Sequence, residues 1–211
     1  MKYELWRQDV FGQAVGTDPV DAELTLETYS CPKAESFDHI DRALVDNEIH
    51  SLYSKDQIGI GLNLIYSNSC SDLPYCYVEA GDEQRRLAGI TNLIHLYHNF
   101  FARYCAQTVN SIGNDQNDGR MGFICYMFWD EFVLYPGNAT AKMVDATLQM
   151  MDAAIYSDNE NCIVSVIHGL GHWVPDTAAA AEILRNWLRK PSTENTQIID
   201  YARQATTGCI L

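Results

Sequence analysis

The sequence predicts an all-α fold: an irregular stack of antiparallel helical hairpins that becomes HEAT- or armadillo-like in its C-terminal half. Two observations carry this. From Ser36 onward the apolar residues step by three or four, the spacing of a helix with one buried face. The last helical runs are short and separated by only a few residues, as in stacked helix pairs. No strict period appears in the residues themselves, so any repeat is structural rather than written in the letters. The whole of 1–211 is expected as one domain, an acidic part over about 1–81 followed by a HEAT-like part over about 82–211.

Residues 1–30 carry no clear pattern, apart from a turn signal in GTDPVD, 16–21. Ser36 can cap a helix bearing Ile40, Leu44 and Ile49. Ser54 to Asp56 open a second run, QIGIGLNLIYSNS, with Ile58, Leu62 and Ile65 at helical spacing; a strand over IGIGLNLIY is the alternative. The clearest helix spans about Asp82 to Gln107. Its residues Leu87, Ile90, Ile94, Tyr97, Phe101 and Tyr104 fall within roughly 80° of one another. A polar loop, SIGNDQNDGR, follows. It resembles a calcium loop only superficially, since Cys125 stands where the bidentate Glu belongs. A very apolar helix over 121–136 is expected to stop at Pro136 and Gly137. Amphipathic helices then follow near 139–156, over NENCIVSVIHGLGHW, near 176–189 and near 194–206.

The 211 residues carry a formal charge of −14, and it is uneven. Residues 1–84 hold 16 acids and 5 bases; residues 85–211 hold 12 acids and 9 bases. Such a surface repels nucleic acid and anionic membrane and attracts a basic protein. No apolar run approaches the ~20 residues that span a bilayer, and the first residues lack a signal-peptide core, so a cytoplasmic protein is expected. The seven cysteines include no CxxC pair. Buried free thiols in a reducing compartment are expected rather than a disulfide framework.

Histidines 168 and 172 in IHGLGHW stand at i and i+4, the spacing with which zinc peptidases grip their metal from one helix face. The general-base Glu of that motif is missing, because the next residue is Gly169. Two glycines weaken a helix by ~1 kcal/mol each, which is tolerated where backbones approach closely. Packing therefore outweighs metal binding on the sequence alone, with His172 placed to cap the helix C-terminus. On the long helix, His98 falls near the apolar stripe and His95 on its flank; nothing brings these two to His168 and His172. In WDEF, Asp130 and Glu131 point ~100° apart. One is expected to pair with an Arg and the other to face solvent. No phosphate-binding loop, dinucleotide fingerprint, GxSxG or kinase motif is present.

The segments NLIHLYHNFFARYC (92–105), ICYMFWDEF (124–132) and IVSVIHGLGHW (163–173), with the ending YARQATTGCIL, together resemble an uncharacterised group of bacterial proteins. That group shows an LFxxxFxxRC-like, a CYMWWD-like and an ALHGLGH segment in this order. The resemblance covers roughly residues 55–211. It implies an all-helical, HEAT- or armadillo-like fold and no catalytic residues.

The function expected from these features is a non-enzymatic, protein-binding scaffold without a cofactor. Its most concrete form is an immunity protein or antitoxin that blocks the active surface of a basic toxin. The partner-binding residues would come from two segments mixing acids and aromatics: Glu27, Tyr29, Glu35, Asp38 and Asp41, then Asp72, Tyr75, Tyr77, Glu79, Asp82 and Glu83. The alternatives are a metal-dependent hydrolase using His168, His172 and a carboxylate such as Asp130, and a structural module of a larger assembly, marked by an exposed apolar patch.

Overall fold

The computed structural model describes residues 1–27, 30–113 and 119–210. Among these the regular structure is entirely helical, without a strand. The unassigned N-terminus holds α1 (Tyr3–Phe11) and α2 (Pro19–Glu23). Trp6, Val10 and Phe11 are fully buried from α1. The GTDPVD signal proves to be a helix start: the Asp18 side chain accepts from Val20 N–H at 3.0 Å, and Pro19 opens α2.

Helix α3 (Lys33–Ala43) begins earlier than expected, after Pro32, so Ser36 is a buried residue inside the helix and not its cap. The short α4 (Ile49–Leu52) leads to α5 (Lys55–Tyr66). Ser54 and Gln57 form a reciprocal capping box at its start. Every residue from Ile58 to Tyr66 is buried, with α10, α1 and α2 packed around them. The apolar run is therefore an inner helix, which explains why it also read as a strand.

A 3₁₀ turn at Leu73–Tyr75 and α6 (Cys76–Glu79) precede a correction. The single helix expected over 82–107 is divided into α7 (Glu83–Asn92), α8 (Ile94–Leu96), a π-helical turn at Tyr97–Phe101 and α9 (Ala102–Tyr104). The wider π turn lets Tyr97, Phe100 and Phe101 all enter the core. It also shifts the register, so His98 is exposed rather than near the buried stripe.

The helix expected over 121–136 is likewise broken. It forms α10 (Gly119–Tyr126) and α11 (Phe128–Glu131), after which Phe132 is extended. Asn68 N–H takes the Glu131 carbonyl at 2.9 Å and ends α11 well before Pro136. Phe128 and Phe132 then pack edge-on against Tyr66, 5.5 and 5.9 Å between ring centres.

The remaining helices lie within two residues or so of expectation: α12 (Ala141–Ala154), α13 (Glu160–Trp173), α14 (Ala178–Arg189) and α15 (Thr196–Ala205). Thr140, Asn159 and Asn195 cap α12, α13 and α15. Helix α13 is central and touches α10, α11, α12, α14 and α15. One contiguous hydrophobic core runs from Tyr3 to Ala205 and draws on both parts of the chain. No described helix is long and apolar enough to cross a membrane. The cysteines are free; Cys70 is half-buried, Cys209 exposed and the other five buried.

Candidate metal centre

The two glycines of IHGLGHW are points of close approach. A Cβ on Gly169 would fall 2.3 Å from Cδ1 of Trp129, and one on Gly171 would fall 2.4 Å from Cγ2 of Ile210. Trp129 is itself fixed, since its Nε1–H donates to the Tyr97 hydroxyl at 2.9 Å and Tyr97 meets Ser165 Oγ at 3.0 Å. Helix α13 is thus held by Trp129 on one flank and by the C-terminal segment on the other.

This clamping brings the residue after Trp129 to the histidines. Asp130 Oδ2 lies 2.9 Å from His168 Nε2, and Asp130 Oδ1 lies 2.6 Å from His172 Nε2. The two Nε2 atoms are 3.2 Å apart. Three side chains of metal-ligating type therefore bring ligand atoms within 4.8 Å of one another. His168 is 1% exposed. The side chains of Asp130 and His172 are 23% and 44% exposed, so the cluster is reached from solvent on their side.

The other face of the His168 ring is also occupied. Its Nδ1 meets the Tyr201 hydroxyl at 2.5 Å, and Tyr126 packs on the ring at 4.7 Å between centres. The Tyr126 and Tyr201 hydroxyls interact in turn. Burial pushes Asp130 up, but hydrogen bonds from His168 and His172 outweigh it and hold its carboxyl below the usual carboxylate range. Burial pushes the Tyr201 hydroxyl up, so it stays protonated and can donate or accept.

Two sequence-based roles are corrected here. His172 does not cap α13; Val174 N–H closes the helix on Leu170 O, while the imidazole faces Asp130. Asp130 pairs with no arginine, and Glu131 does not face solvent alone but accepts from Ser67 Oγ at 2.6 Å. His95 and His98 do not belong to the converging set. Tyr126 and Tyr201 were not singled out from the sequence; Tyr201 stands on the buried face of the amphipathic α15.

The acidic segments are largely engaged within the chain. Glu35 pairs with the amino group of Met1, Asp38 and Asp41 with Arg85, Glu79 with Lys33, and Glu83 with Lys142. Asp82 caps α7 by accepting from Arg85 N–H. Tyr77 is fully buried against Phe37 and Phe132 and cannot touch a partner, a correction to its expected role. Tyr75 is half-buried, Glu27 and Asp72 are exposed, and Tyr29 lies outside the described residues.

Comparison of the chain with protein families, with curated proteins and with solved structures finds no match.

Proposed function

We propose that this protein is a metal-dependent hydrolase whose divalent ion is held by Asp130, His168 and His172. The observation that carries the reading is the convergence of His168 Nε2, His172 Nε2 and the Asp130 carboxylate to within 4.8 Å of one another. Ligand atoms ~2.0–2.1 Å from a tetrahedral zinc lie about 3.3 Å from one another. The Nε2 pair, at 3.2 Å, already matches that edge. Asp130 meets the two rings through different oxygens, so its carboxylate would have to turn to offer one ligand atom to an ion shared with both.

Without an ion the same contacts form if both rings carry their proton on Nε2 and donate to Asp130. Binding a metal then requires each ring to keep its proton on Nδ1 instead. For exposed His172 that nitrogen has water. For buried His168 it has Tyr201, whose hydroxyl donates to Nδ1 in one tautomer and accepts from Nδ1–H in the other. A hydroxyl on the far nitrogen is the supporting contact that metal-ligating histidines use. Three protein ligands leave a coordination position for water, and zinc in such a set lowers the pKa of that water to about 7, giving a nucleophile for carbonyl hydrolysis.

The test is elemental analysis of the purified protein and of a His168→Ala/His172→Ala double variant, followed by ester and amide hydrolysis assays with and without chelator. Stoichiometric zinc, lost from the variant, with chelator-sensitive hydrolysis supports the reading. No metal taken up by the wild type overturns it. Stoichiometric iron would move the chemistry to oxygen activation, which two histidines and a carboxylate also support.

A second reading, the protein-binding scaffold that neutralises a basic toxin, is favoured by a different observation. Leu5, Val15, Val20, Leu24, Val45 and Leu52 are all large aliphatic side chains about half or more exposed, and all fall in the acid-rich first 52 residues. Exposed aliphatics among acids suit a partner with an apolar patch and a basic rim. A purified basic toxin domain should bind wild type in a salt-sensitive manner and lose affinity for a Leu5→Ser/Val20→Ser/Leu24→Ser variant. Equal binding of the two proteins would remove this reading.

A further inference from the structure

Beside the His–His–Asp cluster lies a cleft of about 120 Å³, walled by α10, α13 and the segment 109–113. Its α13 wall is formed by Asn161 and Val164. At 100° per residue these fall within ~40° of His168, on the same stripe as His172. With a rise of 1.5 Å per residue, Val164 stands ~6 Å and Asn161 ~10 Å along the axis from His168. The α10 wall is formed by Phe123, Tyr126 and Met127, which lead directly to Asp130. Tyr126 belongs to both places: it lines the cleft and packs on the His168 ring at 4.7 Å. Cleft and cluster therefore adjoin at Tyr126.

The chemistry of the walls is distinctive for so acidic a chain. Among the described residues, no charged side chain lines the cleft. Val164, Phe123 and Met127 are apolar, Asn161 and Tyr126 are polar and neutral, and Phe123 is 37% exposed. The space suits one small group, since a cavity of about 150 Å³ holds a benzene ring, and ligand sites are mostly apolar with a few polar groups.

Building on the metal-centre reading, we infer that this cleft holds the uncharged, apolar part of the substrate, an aromatic or aliphatic group attached to the carbonyl that the metal centre would engage. The substrate class is then a neutral ester or amide carrying a hydrophobic group, placed against Phe123 and Val164 with its carbonyl toward Asp130 and His172.

The probes are two hydroxamates, which chelate zinc through the same group and differ only in their tails: acetohydroxamate and 3-phenylpropanohydroxamate. Their affinities are measured by calorimetry on zinc-loaded wild type, on zinc-loaded Phe123→Ala and Phe123→Asp variants, and on zinc-free wild type, with zinc content read on each sample. The expected result is at least tenfold tighter binding of the phenyl probe to zinc-loaded wild type. That preference should shrink severalfold in both variants, while acetohydroxamate affinity and zinc content stay unchanged. Equal affinity of the two probes overturns the inference with the metal centre intact. A preference that survives both substitutions, or that persists without zinc, overturns it too, because the apolar group then sits elsewhere or independently of the metal. Failure to take up zinc is read directly from the metal content and overturns the metal centre itself, and this inference with it.

Discussion

Gly169 and Trp129 meet so closely that no side chain fits between them: a Cβ on the glycine would lie 2.3 Å from both Cδ1 and Cγ of the indole. The atoms in the way belong to a ring whose Nε1–H is bonded to buried Tyr97, so the indole cannot simply swing aside. Gly169→Ala gains ~1 kcal/mol of helix propensity and loses about 1–3 kcal/mol or more to overpacking. The variant should unfold at lower urea than wild type. Because Asp130 adjoins Trp129, its zinc occupancy should fall as well. An alanine variant as stable as wild type would show that the two elements are not clamped here.

His168 and His172 should separate stability from metal binding. Replacing His168 takes one partner from the buried Tyr201 hydroxyl, which keeps Tyr126, and the histidine partner from one Asp130 oxygen. Each loss costs about 1–3 kcal/mol. His172 has a side chain that is 44% exposed, so His172→Ala should lie within about 1 kcal/mol of wild type without metal. Zinc at 100 times its dissociation constant stabilises a folded protein by about 2.7 kcal/mol, which raises Tm by roughly 5–10 °C for a chain of this size. Wild type should show that rise in a thermal melt and His172→Ala should not. A full zinc-dependent rise in His172→Ala would remove this histidine from the site.

Among the described residues, the polar contact of His168 Nδ1 is the Tyr201 hydroxyl, and the ring is buried. Tyr201→Phe keeps the aromatic body that packs in α15 and removes only the hydroxyl. The expected outcome is a 10–100-fold loss of zinc affinity in a competition titration, with a helical circular-dichroism spectrum unchanged. Wild-type affinity in this variant would show that His168 does not depend on that hydroxyl for its tautomer.

Local chemistry was legible where a residue's partner is a few positions away. Ser54 with Gln57, and GTDPVD as punctuation, could be read directly, and the helices after Thr140 lie near their expected bounds. The close approach implied by the glycines at 169 and 171 was legible too, but not what approaches them. Breaks set by distant contacts were not. Glu131 ends α11 because Asn68, 63 positions earlier, takes its carbonyl, and His98 turns outward because a π turn resets the register. The site fails to appear in sequence for the same reason. Asp130 is 38 positions from His168 and Tyr201 is 33. Only the packing of α11 and α15 on α13 brings them together.

Acid should weaken the fold through Asp46 in the N-terminal part. Its carboxylate accepts from Arg7 at 2.6 Å, from Tyr3 at 2.7 Å and from Glu48 N–H at 3.0 Å. Burial pushes Asp46 up, but these bonds outweigh it and hold its pKa below the ordinary value of 3.8. A carboxylate with a lowered folded pKa contributes fully above its unfolded pKa and loses that contribution as pH falls through the folded one. The stabilisation is therefore complete at neutral pH, begins to fall below about pH 4 and is gone once the pH drops below the folded pKa. Asp41 acts in the opposite sense, since burial raises its pKa and protonation relieves it. Asp46→Asn isolates the first effect, because the amide does not titrate. At pH 7 the variant should be about 1.5–3 kcal/mol less stable in urea unfolding, and the gap should narrow as the pH is lowered from 5 to 3. A gap that stays constant over that range would mean that the Asp46 charge contributes nothing to folding.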